Sequence, residues 1–154
     1  MKYRVIRQKN ENKEKIALMK AKLKSYKKCL DLKKDYENKI QNKRSKLDML
    51  RAGWSDTDPV SGGGCSQEDK IISIIDDIDE YKENIRLIED DYYNIELAIK
   101  ELPDKDMKNL IHRLWINKDV TVRGLAQENK VDKNLIWRQS DSALLSLYET
   151  LKNY

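Results

Sequence analysis

The chain has 154 residues, of which 38% are charged and 39% are apolar, with two prolines and no phenylalanine. Its length suits one or two small domains. The composition is too apolar for a disordered chain and too charged for one compact sphere, so it indicates long, solvated helices. No apolar run reaches the ~20 residues needed to cross a bilayer, and the N-terminal residues lack the apolar block of a signal peptide. We therefore expect no membrane partner.

The two cysteines, Cys29 and Cys65, form no CxxC pair and have no histidine nearby. Such isolated thiols indicate a reduced cytoplasm, with a single disulfide between them as the alternative. His112 is the only histidine, and we expect a surface or packing residue there, because a zinc site would lack further ligands. No serine or cysteine has the sequence context of a nucleophile. We predict neither enzymatic activity nor a cofactor.

The net charge of +4 is unevenly distributed along the chain. Residues 1–52 carry 18 Lys and Arg against 6 Asp and Glu, whereas residues 53–102 carry 4 against 14. Residues 103–154 are nearly balanced, with 9 against 7. A basic arm followed by an acidic arm favours pairing between the two. Each exposed ion pair adds only about 0.2–1 kcal/mol, so the charges select the partner and an apolar seam must supply the stability.

The acidic arm has an apolar or tyrosine side chain at every third or fourth position, in strict alternation. These positions are Ile71, Ile74, Ile78, Tyr81, Ile85, Ile88, Tyr92, Ile95, Ile99 and Leu102. This spacing predicts the a/d seam of a coiled coil.

The basic arm keeps the same rhythm with one interruption. Its seam positions are Ile16, Met19, Leu23, Tyr26 and Leu30, and then Tyr36, Ile40, Leu47 and Leu50. Between Leu30 and Tyr36 the phase slips by one residue, and Lys43 occupies a seam position. The slip predicts a local kink or a change of packing face.

Between the arms, residues 52–66 (AGWSDTDPVSGGGCS) contain Pro59 and three consecutive glycines. Helices cannot continue through them, so the segment is predicted to be a loop, with Trp54 packed on the hairpin tip. The loop lacks the Gly-Lys-Ser/Thr ending and the preceding strand of a phosphate-binding loop. The sequence thus predicts a long antiparallel coiled-coil hairpin over residues 1–102. Two alternatives are pairing with the arms of a second copy, giving a homo-oligomer, and contact of the basic arm with nucleic acid. The lysines of that arm are spread around the helix, which favours a solvated helix.

Residues 103–154 are predicted to form a small domain of short helices. Pro103 ends the long helix, because proline removes a donor and restricts the residue before it. Asp104 or Asp106 can then cap a helix that runs to about Ile116. Its predicted apolar face consists of Leu110, Ile111, Leu114 and Trp115.

Two further short helices follow a turn at residues 117–119. Thr121 is a good N-cap for a helix that buries Val122, Leu125 and Ala126. Asn129 and Lys130 then turn the chain, since Asn tolerates left-handed geometry. Asp132 caps the next helix, whose predicted buried side chains are Ile136, Ala143, Leu144 and Leu147. This pattern, with Val131 as an apolar plug between the helices, predicts a helix-turn-helix.

The second helix of this motif would expose Lys133, Asn134, Trp137 and Arg138 at its N-terminal turns. Lys and Arg can bind phosphates or guanine edges, Asn can bind adenine with two hydrogen bonds, and Trp can contact a thymine methyl or a sugar. The complete candidate DNA-binding set is Thr121, Arg123, Asp132, Lys133, Asn134, Trp137 and Arg138. A helical hairpin with no DNA role is the alternative.

Residues 121–147 resemble region four of the housekeeping bacterial sigma factor, aligned without a gap. The matching positions of that motif are occupied by Thr121, Leu125, Ala126, Val131, Ile136, Ala143, Leu144 and Leu147. The preceding segment, LIHRLWINKDVT, resembles the helix and turn that lead into the motif. The chain departs from the motif at Lys130, which replaces the usual turn glycine, at Gln139, which replaces a buried isoleucine, and at Trp137, where a basic residue is common.

A charged hairpin with a Gly-rich loop, followed by such a domain, is similar to the phage late-transcription regulators of the ArpU and RinA kind. The resemblance covers nearly the whole chain. It implies sequence-specific binding to double-stranded DNA at a phage promoter and activation of late genes, in the cytoplasm of a bacterial host cell. It also implies that Lys133, Asn134, Trp137 and Arg138 read the bases. Two other functions stay open: an adaptor that binds host RNA polymerase, and a packaging factor like the small terminase subunits.

Overall fold

The computed structural model describes residues 1–53 and 66–154, and every regular element in these two ranges is a helix. The elements are α1 (Lys2–Gly53), α2 (Gln67–Lys100), α3 (Lys105–Leu110), a π-helical segment (Ile111–Ile116), α4 (Val122–Asn129) and α5 (Lys133–Leu151). The prediction of an all-α protein is confirmed for these residues. None of the helices in the described ranges is long and apolar enough to span a membrane.

The loop predicted over residues 52–66 falls almost wholly outside the described residues, together with Trp54, Pro59 and Cys65. Only its borders can be compared with the prediction. Ala52 and Gly53 belong to the last turn of α1, and Ser66 precedes the first residue of α2. The Oγ of Ser66 accepts a hydrogen bond from the backbone N–H of Asp69 at 3.1 Å. Ser66 therefore acts as the N-cap of α2.

The described residues form two compact units. The first unit consists of residues 1–29 and 92–154, and the second consists of residues 30–91. The predicted border at Pro103 lies between α2 and α3, where one helix ends and the next begins. It does not coincide with the division between the units, because the unit that holds the C-terminal helices also includes residues 1–29 of α1.

The second unit is held together by an apolar cluster and by ion pairs between α1 and α2. Its buried members are Ile40, Leu47, Ile71, Ile74 and Ile78. Contacts within the unit join Lys33 to Glu89, Tyr36 to Tyr81 and Lys43 to Asp77. The residue numbers fall along α2 as they rise along α1, so the two helices run in opposite directions within this unit.

The seam positions predicted for the two arms are buried or half-buried without exception. Lys43, the one charged seam residue, is also half-buried, and its Nζ lies 2.8 Å from an Oδ of Asp77. The hydrogen bond from the Lys43 ammonium to Asp77 raises the pKa of the lysine above its ordinary value. At the phase slip, α1 continues as a helix, and the half-buried Lys33 lies 2.7 Å from a carboxylate oxygen of Glu89.

In the first unit, the segment after Pro103 departs from the prediction of a single α-helix ending near Ile116. Asp104 caps α3, because its Oδ1 accepts a hydrogen bond from the backbone N–H of Asp106 at 2.9 Å. From Ile111 onward the helix is π-helical, and the N–H of Asn117 bonds the carbonyl of His112, five residues back, at 2.8 Å. Five-residue spacing brings Ile111 and Ile116 to the same side, and both are almost fully buried.

Candidate nucleic-acid interface

The candidate interface includes α4, which begins after Thr121 and has Leu125 and Ala126 on its buried side, as predicted. The Oγ1 of Thr121 accepts a hydrogen bond from the backbone N–H of Gly124 at 3.0 Å, so Thr121 is the N-cap. Leu125 and Ala126 are buried in a cluster with Leu114 and Ile136, and Val122 packs against this cluster half-buried. Thr121 is therefore a helix-capping residue with an exposed side chain.

The connection from α4 to α5 is a left-handed helix end centred on Lys130 rather than on Asn129. Lys130 has φ 53° and ψ 45°, while Asn129 is the last residue of the helix. The N–H of Val131 donates a hydrogen bond to the carbonyl of Ala126 at 3.0 Å, and the N–H of Lys130 donates one to the carbonyl of Gln127 at 3.3 Å. These two bonds define a Schellman motif, in which glycine is the usual left-handed residue.

Helix α5 begins at Lys133, with Asp132 as its N-cap. The Oδ1 of Asp132 accepts a hydrogen bond from the backbone N–H of Asn134 at 2.9 Å. One side of the helix is buried, at the four predicted positions Ile136, Ala143, Leu144 and Leu147, and additionally at Ser140. The carboxylate of Asp132 is thus engaged with the helix, which fixes where the N-terminal turns of α5 start.

The side chains predicted to contact DNA are exposed on the first two turns of α5 and at the start of α4. Arg123, Lys133, Asn134 and Arg138 are exposed, and Trp137 is 42% exposed. Residues 133 and 137, like 134 and 138, are four apart on a helix, so each pair lies on one side, one turn apart.

A surface depression of about 370 Å³ brings several of these residues together. Its lining consists of Leu114, Trp115, Val120, Thr121, Val122, Arg123, Lys133 and Trp137. Four of the seven predicted site residues are therefore neighbours here, and the lining carries two cations and no carboxylate. Asn134 and Arg138 do not line the depression, and Asp132 does not either.

Lys20, in α1, also lies at this candidate site, although no sequence pattern predicts it there. Its Nζ lies 4.6 Å from the ring centroid of Trp115 and 5.7 Å from that of Trp137. Both distances are within the range of cation–π attraction. Residues 121–147 contain no signal for this contact, because Lys20 lies about a hundred residues earlier in the chain. The nearest indication was the alternative in which the basic arm contacts nucleic acid.

Trp115 is held in place by a second interaction, through the nitrogen of its ring. Its Nε1–H donates a hydrogen bond to the Oγ of Ser140 at 2.9 Å, and Ser140 is fully buried. This bond joins the π-helical segment to α5. The orientation of Trp115, and with it the position of Lys20, therefore depends on the packing of α5.

A second concave surface, a groove of about 490 Å³, lies between α3 and the connection from α4 to α5. Val131, predicted to be a plug between the helices, is 37% exposed and lines this groove with Leu135, which is 38% exposed. Gln139 also lines the groove and is exposed, at the position where the sigma motif has a buried isoleucine. A polar side chain is tolerated there because the site faces solvent.

The π-helical segment and α4 are further joined by a charged contact outside the apolar cluster. Two nitrogens of the Arg113 guanidinium donate hydrogen bonds to the two carboxylate oxygens of Glu128, at 2.9 and 3.1 Å. These bonds lower the pKa of Glu128 and raise that of Arg113. The carboxylate of Asp119 lies 3.8 Å from the same arginine. The pair links α4 to the π-helical segment.

No family model, curated protein or solved structure matches this chain. The resemblance to sigma region four and to the phage late-transcription regulators stays a prediction from the sequence.

Proposed function

We propose that this protein is a sequence-specific DNA-binding transcription regulator, encoded by a phage or prophage, that activates late genes. In this proposal α4 and α5 are a helix-turn-helix, and the N-terminal turns of α5 read the major groove. The observation that carries it is the convergence of Arg123, Lys133 and Trp137 on one depression that has no acidic lining. Asn134 and Arg138 are also exposed, at the same end of α5. The protein binds DNA and catalyses no reaction.

The local geometry supports this assignment. An α4 that is capped by Thr121 and ends in a Schellman motif fixes the point at which α5 begins, which a recognition helix requires. The side chains at its first turns have the chemistry of base recognition. Arg and Lys suit guanine, Asn suits adenine, and the apolar edge of Trp suits a thymine methyl.

We also propose that α1 and α2 form an antiparallel coiled-coil hairpin that sets the oligomeric state. Two observations support it: the helices run in opposite directions within the second unit, and every predicted seam position is buried or half-buried. Apolar side chains left outside the seam favour self-association through the hairpin. Ile72 is 50% exposed, Ile75 is 38% exposed and Met49 is 74% exposed. A homodimer would present two reading helices, which compensates for the weak binding of a single small domain.

The proposal is tested by selecting sheared DNA of the source genome on the immobilised protein at ~150 mM salt, where non-specific binding is weak. We expect one or two short segments ahead of a gene cluster to be enriched. The double variant Lys133→Ala/Arg138→Ala should then bind the enriched segment about 5- to 150-fold less tightly for each base-reading side chain that it removes. A matched control, Lys105→Ala/Lys152→Ala, removes the same charge from exposed positions of the same unit and should retain selection. Equal binding by wild type and the Lys133/Arg138 variant would contradict the assignment of the reading residues.

A second function, an adaptor for host RNA polymerase, is favoured by one observation, the groove that exposes Val131 and Leu135. Exposed apolar side chains in a concave surface suit a protein segment better than a phosphate backbone. In this case Leu135→Asp should abolish co-purification of polymerase with the nuclease-treated protein, whereas Lys133→Ala/Arg138→Ala should not. If the nuclease-treated wild-type protein retained no polymerase, DNA binding would remain the function of this domain.

A further inference from the structure

The positive charge of the first compact unit lies mainly on α1, not on the C-terminal helices. Residues 1–29 carry 11 Lys and Arg against 2 Asp and Glu, whereas residues 103–154 carry 9 against 7. The whole unit, which also includes residues 92–102, carries 21 against 11. A domain of residues 103–154 alone would attract DNA weakly, but the unit in which those residues are packed has a net charge of +10.

One of these cations stands beside the candidate reading helix. The ammonium of Lys20 lies against the rings of Trp115 and Trp137, which line the same depression as Arg123 and Lys133. The two indole rings hold the ammonium in place, so less conformational entropy is lost when it binds an anion. The surface around the depression is therefore formed by three segments of the chain, and α1 is one of them.

The contacts between α1 and α5 show which part of α1 follows Lys20 towards the N-terminus of α5. Lys15 contacts the carboxylate of Glu149 at 3.6 Å and the ring of Tyr148 at 5.2 Å, whereas Lys20 contacts Trp137. Moving forward along α1 thus means moving back along α5, towards its N-terminus. The next turn of α1 carries Lys24, which is exposed.

The lysines near Lys20 are arranged by helical spacing. Residues four or seven positions apart return to within about 40° on an α-helix, so Lys13, Lys24 and Lys27 lie on the same flank as Lys20. Met19 and Leu23, both fully buried, mark the side of α1 that faces the core. Lys22 is exposed and lies about 200° from Lys20, on the opposite flank.

We propose that this lysine flank of α1 is a second DNA-contact surface, in which Lys20 and Lys24 bind phosphates of the duplex that α5 reads. The inference rests on the proposed function. An ammonium is a compact point charge that binds phosphate without distinguishing bases, so this surface adds affinity and fixes the orientation of the duplex. The bases are read by α5, and α1 anchors the backbone beside the groove.

The test is the salt dependence of binding, measured by fluorescence anisotropy on a 30-base-pair duplex of the enriched segment and on an unrelated duplex of equal length. Each phosphate contact contributes about 0.9 to the slope of log K against log salt. Lys24→Gln should reduce the slope by about one, and Lys20→Gln/Lys24→Gln by about two, on both duplexes. At ~150 mM salt this corresponds to roughly five-fold weaker binding per lysine. The preference for the enriched segment should not change.

Lys22→Gln is the matched control, because it removes one exposed lysine from the same stretch of α1 but from the opposite flank. Circular dichroism melting checks that each variant is folded. Lys20→Arg keeps the cation, so its slope of log K against log salt should be close to that of the wild type. An unchanged slope in Lys24→Gln and in the double variant, or an equal loss in Lys22→Gln, would overturn the inference while leaving the proposed function intact.

The two proposals fail differently. A wild-type protein that enriches no segment but binds the unrelated duplex overturns the proposed function. The slopes on that duplex would then still decide the role of α1. A wild-type protein that binds neither duplex overturns both.

Discussion

The indole N–H of Trp115 and the hydroxyl of Ser140 form a 2.9 Å hydrogen bond between the π-helical segment and the buried side of α5. Ser140 is the one fully buried polar side chain among the described residues. We predict that Ser140→Ala destabilises the protein by about 1–3 kcal/mol, since it leaves a partly buried N–H without a partner. Urea unfolding followed by circular dichroism measures the change.

The control is the double variant Trp115→Phe/Ser140→Ala, which removes both polar partners. Removing both should cost less than the sum of the two single substitutions, because no polar group then remains unsatisfied. Additive losses would mean that the hydrogen bond contributes nothing and that packing alone explains the cost.

A substitution at Lys130 is predicted to stabilise the protein. Its backbone is left-handed at the C′ position of the Schellman motif, a conformation that costs an L-residue roughly 1 kcal/mol and costs glycine nothing. Lys130→Gly should therefore raise the free energy of unfolding by about 0.5–1 kcal/mol. Gln127→Gly, three residues earlier inside α4, should lower it by about 1 kcal/mol. If both variants melt lower than wild type, the backbone at residue 130 is not left-handed in solution.

The local features of this fold could be predicted from the sequence, whereas contacts between distant segments could not. Thr121 and Asp132 cap α4 and α5 as expected, because capping depends only on neighbouring backbone groups. The seam from Ile71 to Leu102 is buried or half-buried, since its periodicity is a local property of one helix. The position of Lys20 against Trp137 depends on how α1 packs against α5, and no local pattern encodes that.

Two errors in the predicted C-terminal region have physical causes. The π-helical segment was predicted to be α-helical because Leu110, Ile111, Leu114 and Trp115 fit an α-helical face. The wider π-helical turn brings Ile116, five residues from Ile111, to the side of Ile111, and both side chains are almost fully buried. Val131 was expected to be covered, but it lies beside a groove, and its apolar side chain alone could not indicate whether a neighbour covers it.

The Arg113–Glu128 pair predicts how stability depends on pH. Hydrogen bonds from the Arg113 guanidinium lower the pKa of Glu128 in the folded protein, so the pair stabilises the fold above the ordinary carboxyl pKa of about 4.3. That contribution is lost as the pH falls through the lowered pKa. Glu128→Gln should thus lower the melting temperature at pH 7, and the difference from wild type should shrink below about pH 4.

The side chains of Arg113 and Glu128 are 39% and 52% exposed, so solvent screening keeps this effect small, and it should weaken further at high salt. Glu37→Gln, at an exposed position of α1, is the control and should change the melting temperature little at any pH. A Glu128→Gln difference that is constant from pH 7 to pH 3 would show that the amide disturbs packing and that the charge is irrelevant.

Lys43 tests the role of charge inside the predicted seam. It is half-buried between seam positions 40 and 47, and its ammonium is paired with Asp77. We predict that Lys43→Leu stabilises the protein by about 1 kcal/mol, because burying a leucine contributes more than a partly exposed ion pair. A polar seam residue favours one register and one oligomeric state at a cost in stability. Because Lys43→Leu removes that residue, the pairing of the helices should become less selective. Sedimentation velocity should then show additional oligomers.

The control is Arg44→Leu, at the adjacent exposed position, which should not stabilise the fold. A Lys43→Leu variant that unfolds at lower urea than Arg44→Leu would contradict the seam assignment.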